Sequence, residues 1–446
     1  MTEDQILSLG PELADYLDEF SDCFGRSEPR SHLASYVRGQ LSDLLQKSVE
    51  PIANFAGVAP RTLQEFLRTD VWDHPKLRDR IGQIIARDHA DPQTIGIIDD
   101  SGHPKKGSKT ACVSRQYCGN TGKIDNCVVS VHLSYVSYDT SFRAMLDSTP
   151  YVPETTWDDP DRRRQAGIPE DVVYRPKYEI ALEQLDRAIA NGLVFGWMTA
   201  DEWYSQKPRF VAGLEARQQR FVLEVPRNFP GWLFCPKNAD QSPKQVDNLC
   251  RFSRPMMRQP WTRFYVKDTE KGPMVWEAKA AEFWLRREGQ VLGPYWLVVA
   301  RNVLDPREEK YFFSNASPGT PLEAILHVGF ARWPVERCLQ DEKSKLGLSD
   351  FEVRNYQSVC RHLLLTQVSH LFLARQTSRL RGEKSGDHVV PSPHGSQRID
   401  RCPAAFSPRS AATTRTRCQG TATNPTKKRQ GPALPYKNAS PATTNA

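Results

Sequence analysis

Gly96-Ile-Ile-Asp-Asp-Ser-Gly-His-Pro-Lys-Lys-Gly107 is the stretch on which the reading of this chain turns. Ile95, Ile97 and Ile98, set between Thr94 and Asp99, form the short apolar run that ends a buried β-strand. The run stops on two adjacent carboxylates and then turns basic at Lys105, Lys106 and Lys109. An acid held at the rim of a sheet can coordinate a hard divalent cation such as Mg²⁺, and lysines just beyond it can neutralise a polyanion. A plain strand followed by an Asp-Ser-Gly turn with a solvated lysine face satisfies the same residues. The rest of the chain has to decide.

Downstream, Ala111 to Tyr117 and Cys127 to Val136 read as two further strands, joined by hairpin chemistry in Cys118-Gly-Asn-Thr-Gly-Lys123. Residues 149–170 are rich in Pro, Asp and Arg and read as a surface excursion. Lys177 to Asn191 carries Ile180, Ala181, Leu185, Ala188 and Ile189 on one helical face and is closed by Gly192. A second apolar strand, Leu193 to Thr199, also runs out on an acid, Asp201. Strand, hairpin, helix and strand, with carboxylates at two strand ends, is an α/β layout that can assemble a metal-dependent phosphoryl-transfer site from distant sequence.

From Arg220 to Ala316 the pattern changes to short strands, with Trp232, Trp261, Trp276, Trp284 and Trp296 among them. This reads as a β-rich insertion whose aromatics form its core. Helical patterns return at Leu322 to Phe330 and Val335 to Leu346, where Glu336 and Lys343 lie two turns apart on one face. A solvated helix surface would look the same without partner acids elsewhere.

Upstream, residues 11–90 read as helical, with Leu33, Tyr36, Val37, Gln40, Leu41 and Leu44 at amphipathic spacing. In Glu50-Pro-Ile-Ala-Asn-Phe-Ala-Gly-Val-Ala-Pro-Arg-Thr-Leu-Gln-Glu-Phe-Leu67, Pro51 suits a first turn, Gly57 a C-terminal cap and Pro60 a second helix start. Arg61, Thr62, Gln64 and Glu65 would then face outward near the start of that second helix, where a helix-turn-helix meets base edges. An ordinary αα-hairpin fits the pattern equally well.

With 39% hydrophobic and 25% charged residues the chain has the make-up of a soluble globular protein. No apolar run approaches the ~20 residues that span a bilayer, and Met1-Thr-Glu-Asp does not begin a secretion signal, which points to the cytoplasm. The ten cysteines include no C-x-x-C pair and are read as reduced thiols. The net charge of +7 is carried by the tail, where eleven Lys and Arg stand against three Asp and Glu from Arg381 onward. Any affinity of the body for nucleic acid must therefore come from local patches and metal ions. The tail itself, rich in Pro, Ser, Thr and Ala, reads as disordered.

Taken together, Asp99 to Gly107, with Gln116-Tyr-Cys-Gly119 and Gly122-Lys-Ile-Asp-Asn-Cys127 behind it, closely resembles the first acidic motif of DDE transposases of bacterial insertion sequences. The branch is the insertion-sequence-four superfamily, and within it the seven-oh-one group. Thr199-Ala-Asp-Glu-Trp-Tyr204 resembles the second motif, and Arg332-Trp-Pro-Val-Glu336 with Lys343 the third. Phe24-Gly-Arg26, Lys47-Ser-Val-Glu-Pro51 and Leu63-Gln-Glu-Phe66 also look like this group, so the resemblance runs from about residue 13 to about residue 375. Two departures stand out: position 329 is Gly where the family usually has Tyr, and the chain ends in low-complexity sequence instead of a basic helical segment.

The resemblance implies a ribonuclease-H-like catalytic core, here residues 91–219 and 317–380, interrupted by the β-strand insertion 220–316. An N-terminal helical DNA-binding domain would occupy 1–90 and the basic tail 381–446. It implies Asp99, Asp201 and Glu336 as catalytic ligands of two Mg²⁺ ions, which Mn²⁺ can replace, with Asp99 favoured over Asp100 because Ser101 follows at the family's spacing. Asp100 becomes the turn former or an auxiliary ligand, and Arg332 and Lys343 become phosphate contacts. Arg61, Thr62, Gln64, Lys105 and Lys106 are the candidate DNA contacts. The implied activity is cleavage at transposon terminal repeats and strand transfer into target DNA by a homodimer at the nucleoid. A catalytically defective, transposase-derived DNA-binding protein or repressor is the alternative.

Overall fold

The computed structural model describes residues 3–237, 241–269 and 272–387, and their side chains except at 267–269, 333–338 and 381–387. In chain order the strands are β1 (Ile95–Pro104), β2 (Ser114–Cys118), β3 (Lys123–Val136), β4 (Arg143–Pro150), β5 (Trp197–Ala200) and β6 (Phe221–Val225). There follow the short pair β7 (Pro230–Gly231) and β8 (Lys244–Gln245), then β9 (Thr262–Thr269), β10 (Gly272–Arg287), β11 (Gln290–Asn302) and β12 (Glu309–Ser314). The helices are α1 (Glu3–Asp18), α2 (Ser27–Leu41), α3 (Val49–Ala56), α4 (Pro60–Arg68), α5 (His74–Asp88), α6 (Pro160–Ala166) and α7 (Lys177–Ala190). They continue with α8 (Glu202–Ser205), α9 (Pro208–Ala216), α10 (Val246–Phe252), α11 (Arg254–Arg258), α12 (Leu322–Phe330), α13 (Arg332–Lys345) and α14 (Tyr356–Asp387).

All strands but β7 and β8 belong to one ten-stranded sheet, ordered β2-β3-β1-β5-β6-β12-β11-β10-β9 with β4 also on β3. β1 is antiparallel to β3 and parallel to β5, and β5 is parallel to β6. A mixed sheet of this kind, with helices on its faces, fits a ribonuclease-H-like core. The apolar run at Ile95–Ile98 is buried because it has paired strands on both sides and helices above and below.

Four sequence expectations change. First, β1 does not end at Asp99: pairing with β5 stops at Ile98–Ala200, but pairing with the longer β3 continues to Pro104–Cys127. Asp99-Asp100-Ser101 is therefore strand, not turn, and Gly102 serves close packing, since a Cβ there would meet Sγ of Cys118 at 2.6 Å. Second, the β-rich segment is not a separate module. β12 pairs antiparallel with β6, and β11, β10 and β9 extend the same sheet outward. Third, β4 was not expected, because Ala144, Met145 and Leu146 are apolar in a row and show no alternation, yet it pairs along β3. Fourth, Cys235 is disulfide-bonded where a reduced thiol was expected, since spatial approach and not sequence spacing decides pairing. Among the described residues, six other cysteines keep free thiols. α14 also runs to Asp387, past residue 381; the tail from 388 lies outside the described residues.

Two helices joined by a tight turn form here, as both the helix-turn-helix and the αα-hairpin readings expect. α3 ends on Gly57 in the left-handed region (φ 69°), and α4 starts with Pro60 in its first turn. Leu63, Phe66 and Leu67 point inward and are fully buried. The N-terminal helices do not stand apart: Leu13 to Ile85 share one apolar core with β3, α7 and Leu364 to Phe372 of α14. A polar spine fastens them. Tyr36 Oη lies 2.8 Å from Nδ1 of His362, Gln40 Nε2 donates to Thr366 Oγ1 at 2.9 Å, and Ser369 Oγ donates to Gln40 Oε1 at 2.8 Å. Buried Arg361 donates to the carbonyls of Phe66 (3.0 Å) and Trp72 (3.4 Å) and lies over the Trp72 ring.

Candidate active site

Side chains alternate across a strand, so the two adjacent aspartates of β1 face opposite sides of the sheet. Asp100 faces α7, where its Oδ2 pairs with Lys177 Nζ at 2.5 Å. Asp99 shares its face with Ile95 and Ile97, the side packed by α12 and α13. Asp201 follows β5 one residue beyond the last β1–β5 pair, and by the same alternation shares the face of Trp197 and Thr199. The two acids therefore stand side by side at the edge of the parallel pairing. Asp201 Oδ1 caps the short α8, accepting from the backbone N–H groups of Trp203 (3.0 Å) and Tyr204 (3.2 Å), which fixes its carboxylate. Asp99 Oδ1 accepts from Asp100 N–H at 2.8 Å.

Burial pushes the Asp99 carboxyl up to about 7, against the pull of the Arg332 guanidinium, and neighbouring Asp201 and Asp100 push it the same way. Asp201 is raised for the same first reason, again opposed by Arg332. The Lys343 ammonium is lowered by burial, with Asp99 as the largest opposing charge. Asp99, Asp201, Arg332 and Lys343 thus lie within one electrostatic neighbourhood, as three sequence-distant motifs require. Glu336 lies within α13, between Arg332 and Lys343; its side chain is outside the described residues.

Two partly buried carboxylates that repel each other need a cation, and their hard oxygens suit Mg²⁺ or Mn²⁺. Ser101 Oγ, Thr199 Oγ1 and Tyr204 Oη are buried with no hydrogen-bond partner among the described residues, and all three flank these acids in sequence. Orphaned hydroxyls are a mark of a site built for water or an ion. Among the described residues no group of three or more His, Cys, Asp or Glu converges on one point.

Under the site runs a polar chain that sequence reasoning missed. Ser349 Oγ, His103, Ser130 Oγ, His132 and Ser148 Oγ follow one another at 2.9, 2.6, 2.9 and 2.7 Å. His132 sits directly across the ladder from Asp99, and burial together with Lys343 holds its imidazole down at about 3. The signal was present: Ser130, His132 and Ser134 are polar at period two within an apolar strand.

On the buried side of α13, Glu342 lies 3.2 Å from Nδ1 of His370 in α14. Burial pushes its carboxyl up to about 8 and the imidazole down to about 4, so the pair is neutral. Near pH 6 the folded pair holds one proton on Glu342 and the unfolded chain one on His370. Above the ordinary histidine value of 6.5 the unfolded chain loses its proton, while the folded pair keeps its own to about 8. Stability therefore falls as pH rises through this window, by roughly 2 kcal/mol. Glu342→Gln should remove the slope, read as urea midpoints at the two ends of the window.

The candidate DNA contacts separate. Arg61 is exposed and paired with Glu65 at 2.8 Å. Gln64, Lys105 and Lys106 line one cleft of about 1160 Å³, together with Arg68, Lys109 and Arg354. Thr62 is half-buried. Lys105 also has partners within the protein: its ammonium donates to the carbonyls of Ser349 (3.0 Å) and Phe351 (2.7 Å) and covers the Phe351 ring at 3.5 Å. A lysine bonded this way braces a loop. Gly329 also has a packing reason, since a Cβ there would meet the Phe312 ring at 2.9 Å, and a tyrosine would displace it.

The sequence pattern of the DDE superfamily endonucleases matches residues 19–261, a span that holds both Asp99 and Asp201. The chain is 27% identical over 324 residues to the probable transposase for insertion sequence element IS701 of Microchaete diplosiphon, covering 72% of this chain and 76% of that protein. Matched over more than half its length by that pattern, with two carboxylates side by side where the parallel β1–β5 pairing ends and a helix nearby carrying Arg and Lys, the chain belongs to the DDE superfamily of endonucleases.

Proposed function

We propose that this chain is a DNA transposase that cuts at the ends of an insertion element and joins the freed 3′ ends to target DNA. The observation that carries the reading is the pairing of Asp99 and Asp201 on the face that packs α13, in a chain of this family and similar to a transposase. Asp99, Asp201 and Glu336 would hold two divalent ions, Mg²⁺ or Mn²⁺ in its place. Bound there, the metals would supply Lewis-acid activation of a water or 3′-hydroxyl nucleophile and neutralise charge at the leaving oxygen.

The protein's own groups do the remaining work. Asp201 is locked by its cap, so it presents the same carboxylate geometry before and after DNA arrives. Arg332 offers a planar fork suited to two phosphate oxygens, and Lys343 a point charge. Helix α4, with Arg61, Thr62 and Gln64, and the cleft holding Gln64 and Lys106 are the proposed DNA surface. Two ends must meet before joining, so a homodimer on DNA is the expected working form. Among the described residues no helix is long and apolar enough to cross a membrane.

The test is cleavage of duplexes carrying the element's flanking ends. Full-length protein with Mg²⁺ should release a 3′-hydroxyl at the repeat terminus, and EDTA should stop release while leaving a gel-shifted complex. A complex that forms but is never cut, with Mg²⁺ or Mn²⁺, would instead establish a DNA-binding repressor.

A further inference from the structure

A third carboxylate stands in the same row as the two acids. β5 and β6 pair in parallel up to Ala200–Leu223, so Glu224 is in register with Asp201 as Asp201 is with Asp99. Val222 packs on the α12–α13 face while Phe221 and Leu223 pack on the other, so alternation puts Glu224 on the face of Asp99 and Asp201. Its Oε1 pairs with Lys310 Nζ at 2.5 Å and its Oε2 lies 3.9 Å from Nε of Arg332. The Glu224 and Arg332 side chains are only 19% and 16% exposed, so water screens their interaction poorly. Arg332 is at the same time the principal positive charge acting on both Asp99 and Asp201. One guanidinium therefore serves acids on two sides.

We infer that Glu224 is a positioning residue that draws Arg332 aside from Asp99 and Asp201 when divalent cations occupy them. The inference rests on the reading of those two acids as cation ligands. A guanidinium left against them is a built-in competitor for the metal, because it satisfies the same negative charge. Incoming cations repel it, and it moves only as far as another anion can receive it; Glu224 is that anion. Both Glu224 oxygens already face cations of the protein, Oε1 toward Lys310 and Oε2 toward Arg332, which suits it to receive a guanidinium. Lys310 holds the other carboxylate oxygen and keeps Glu224 from swinging toward the metals.

The test is Mn²⁺ binding to the full chain without DNA, followed by loss of the free-ion electron paramagnetic resonance signal. Glu224→Gln should raise the Mn²⁺ dissociation constant about tenfold, with a melting temperature close to the parent's. The informative measurement is the same change made in an Arg332→Gln background, where it should have less than a twofold effect. A purely structural role, or direct ligation by Glu224, would weaken binding equally in both backgrounds and would overturn the inference. So would a change of less than twofold in Glu224→Gln alone. Asp99→Asn is the control: if it binds Mn²⁺ as the parent does, the metal-site reading itself fails. If it loses Mn²⁺ while Glu224→Gln does not, only the role of Glu224 fails.

Discussion

Asp99→Asn should lower end cleavage by roughly a thousandfold or more, about 4 kcal/mol of barrier, while Asp100→Asn stays within about tenfold of the parent. The two residues are neighbours, both acidic, and equally placed in the sequence motif. What separates them is the strand: Asp99 faces the helix that carries Arg332, Lys343 and Glu336, and Asp100 faces α7 and pairs with Lys177. Turning Asp99 into an amide removes a charge that repels Asp201 and would hold a cation. Turning Asp100 into an amide loosens Lys177, whose ammonium also lies 4.4 Å from the centre of the Trp203 ring, so a modest cost is expected. Single-turnover cleavage of labelled ends with saturating Mg²⁺ reads both variants directly. Retained cutting by Asp99→Asn, with loss in Asp100→Asn, would falsify the assignment.

Arg361→Met should cost about 3 kcal/mol of stability. The side chain is buried at the seam between α14 and the N-terminal helices and satisfies the carbonyls of Phe66 and Trp72. Leaving a buried acceptor unmet costs roughly 1–3 kcal/mol, and the stacking over Trp72 adds about 1 kcal/mol more. Methionine fills similar volume, so the loss measures the polar contacts and not a cavity. The comparison is Tyr36→Phe in the same spine, which deletes one hydroxyl and should cost about 1 kcal/mol. Guanidinium chloride midpoints with unchanged slopes decide it; a loss below that of Tyr36→Phe would mean the seam is held by apolar packing alone.

Much of the site was legible because it is built from strand ends and one helix, and these leave short local signatures. The run Ile95–Ile98 stopping on Asp99, and Leu193–Thr199 running out near Asp201, pointed to both acids. Long-range pairing left no such mark. Nothing local says that β6 belongs beside β5, or that β12 turns the insertion into an extension of the same sheet, because pairing partners lie some ninety residues apart in Phe221–Val225 and Glu309–Ser314. For the same reason the contacts of Glu224 with Lys310 and Arg332, and of Lys105 with Phe351, left no local mark in the sequence. The α3–α4 helix pair could be read in outline from Gly57 and Pro60, but the attachment of the N-terminal helices to α14 depends on buried polar residues that a hydropathy pattern counts as surface.

Lys47 joins the two ends of this design. Its buried ammonium donates to the carbonyls of Gln40 (2.6 Å) and Ser42 (2.7 Å) at the C-terminal end of α2, and to the carbonyl of Lys345 at the end of α13. Its backbone N–H donates to Asp350 at 2.9 Å. The helix pair proposed to grip DNA is thus pinned to the helix that carries Arg332, Glu336 and Lys343, without a slack tether between them. Such a frame acts as a ruler: the distance from the bases gripped to the phosphate cut is a dimension of the protein. Insertions of one or two base pairs between the recognised sequence and the terminus should then move the cut by the same number, not leave it at the old end.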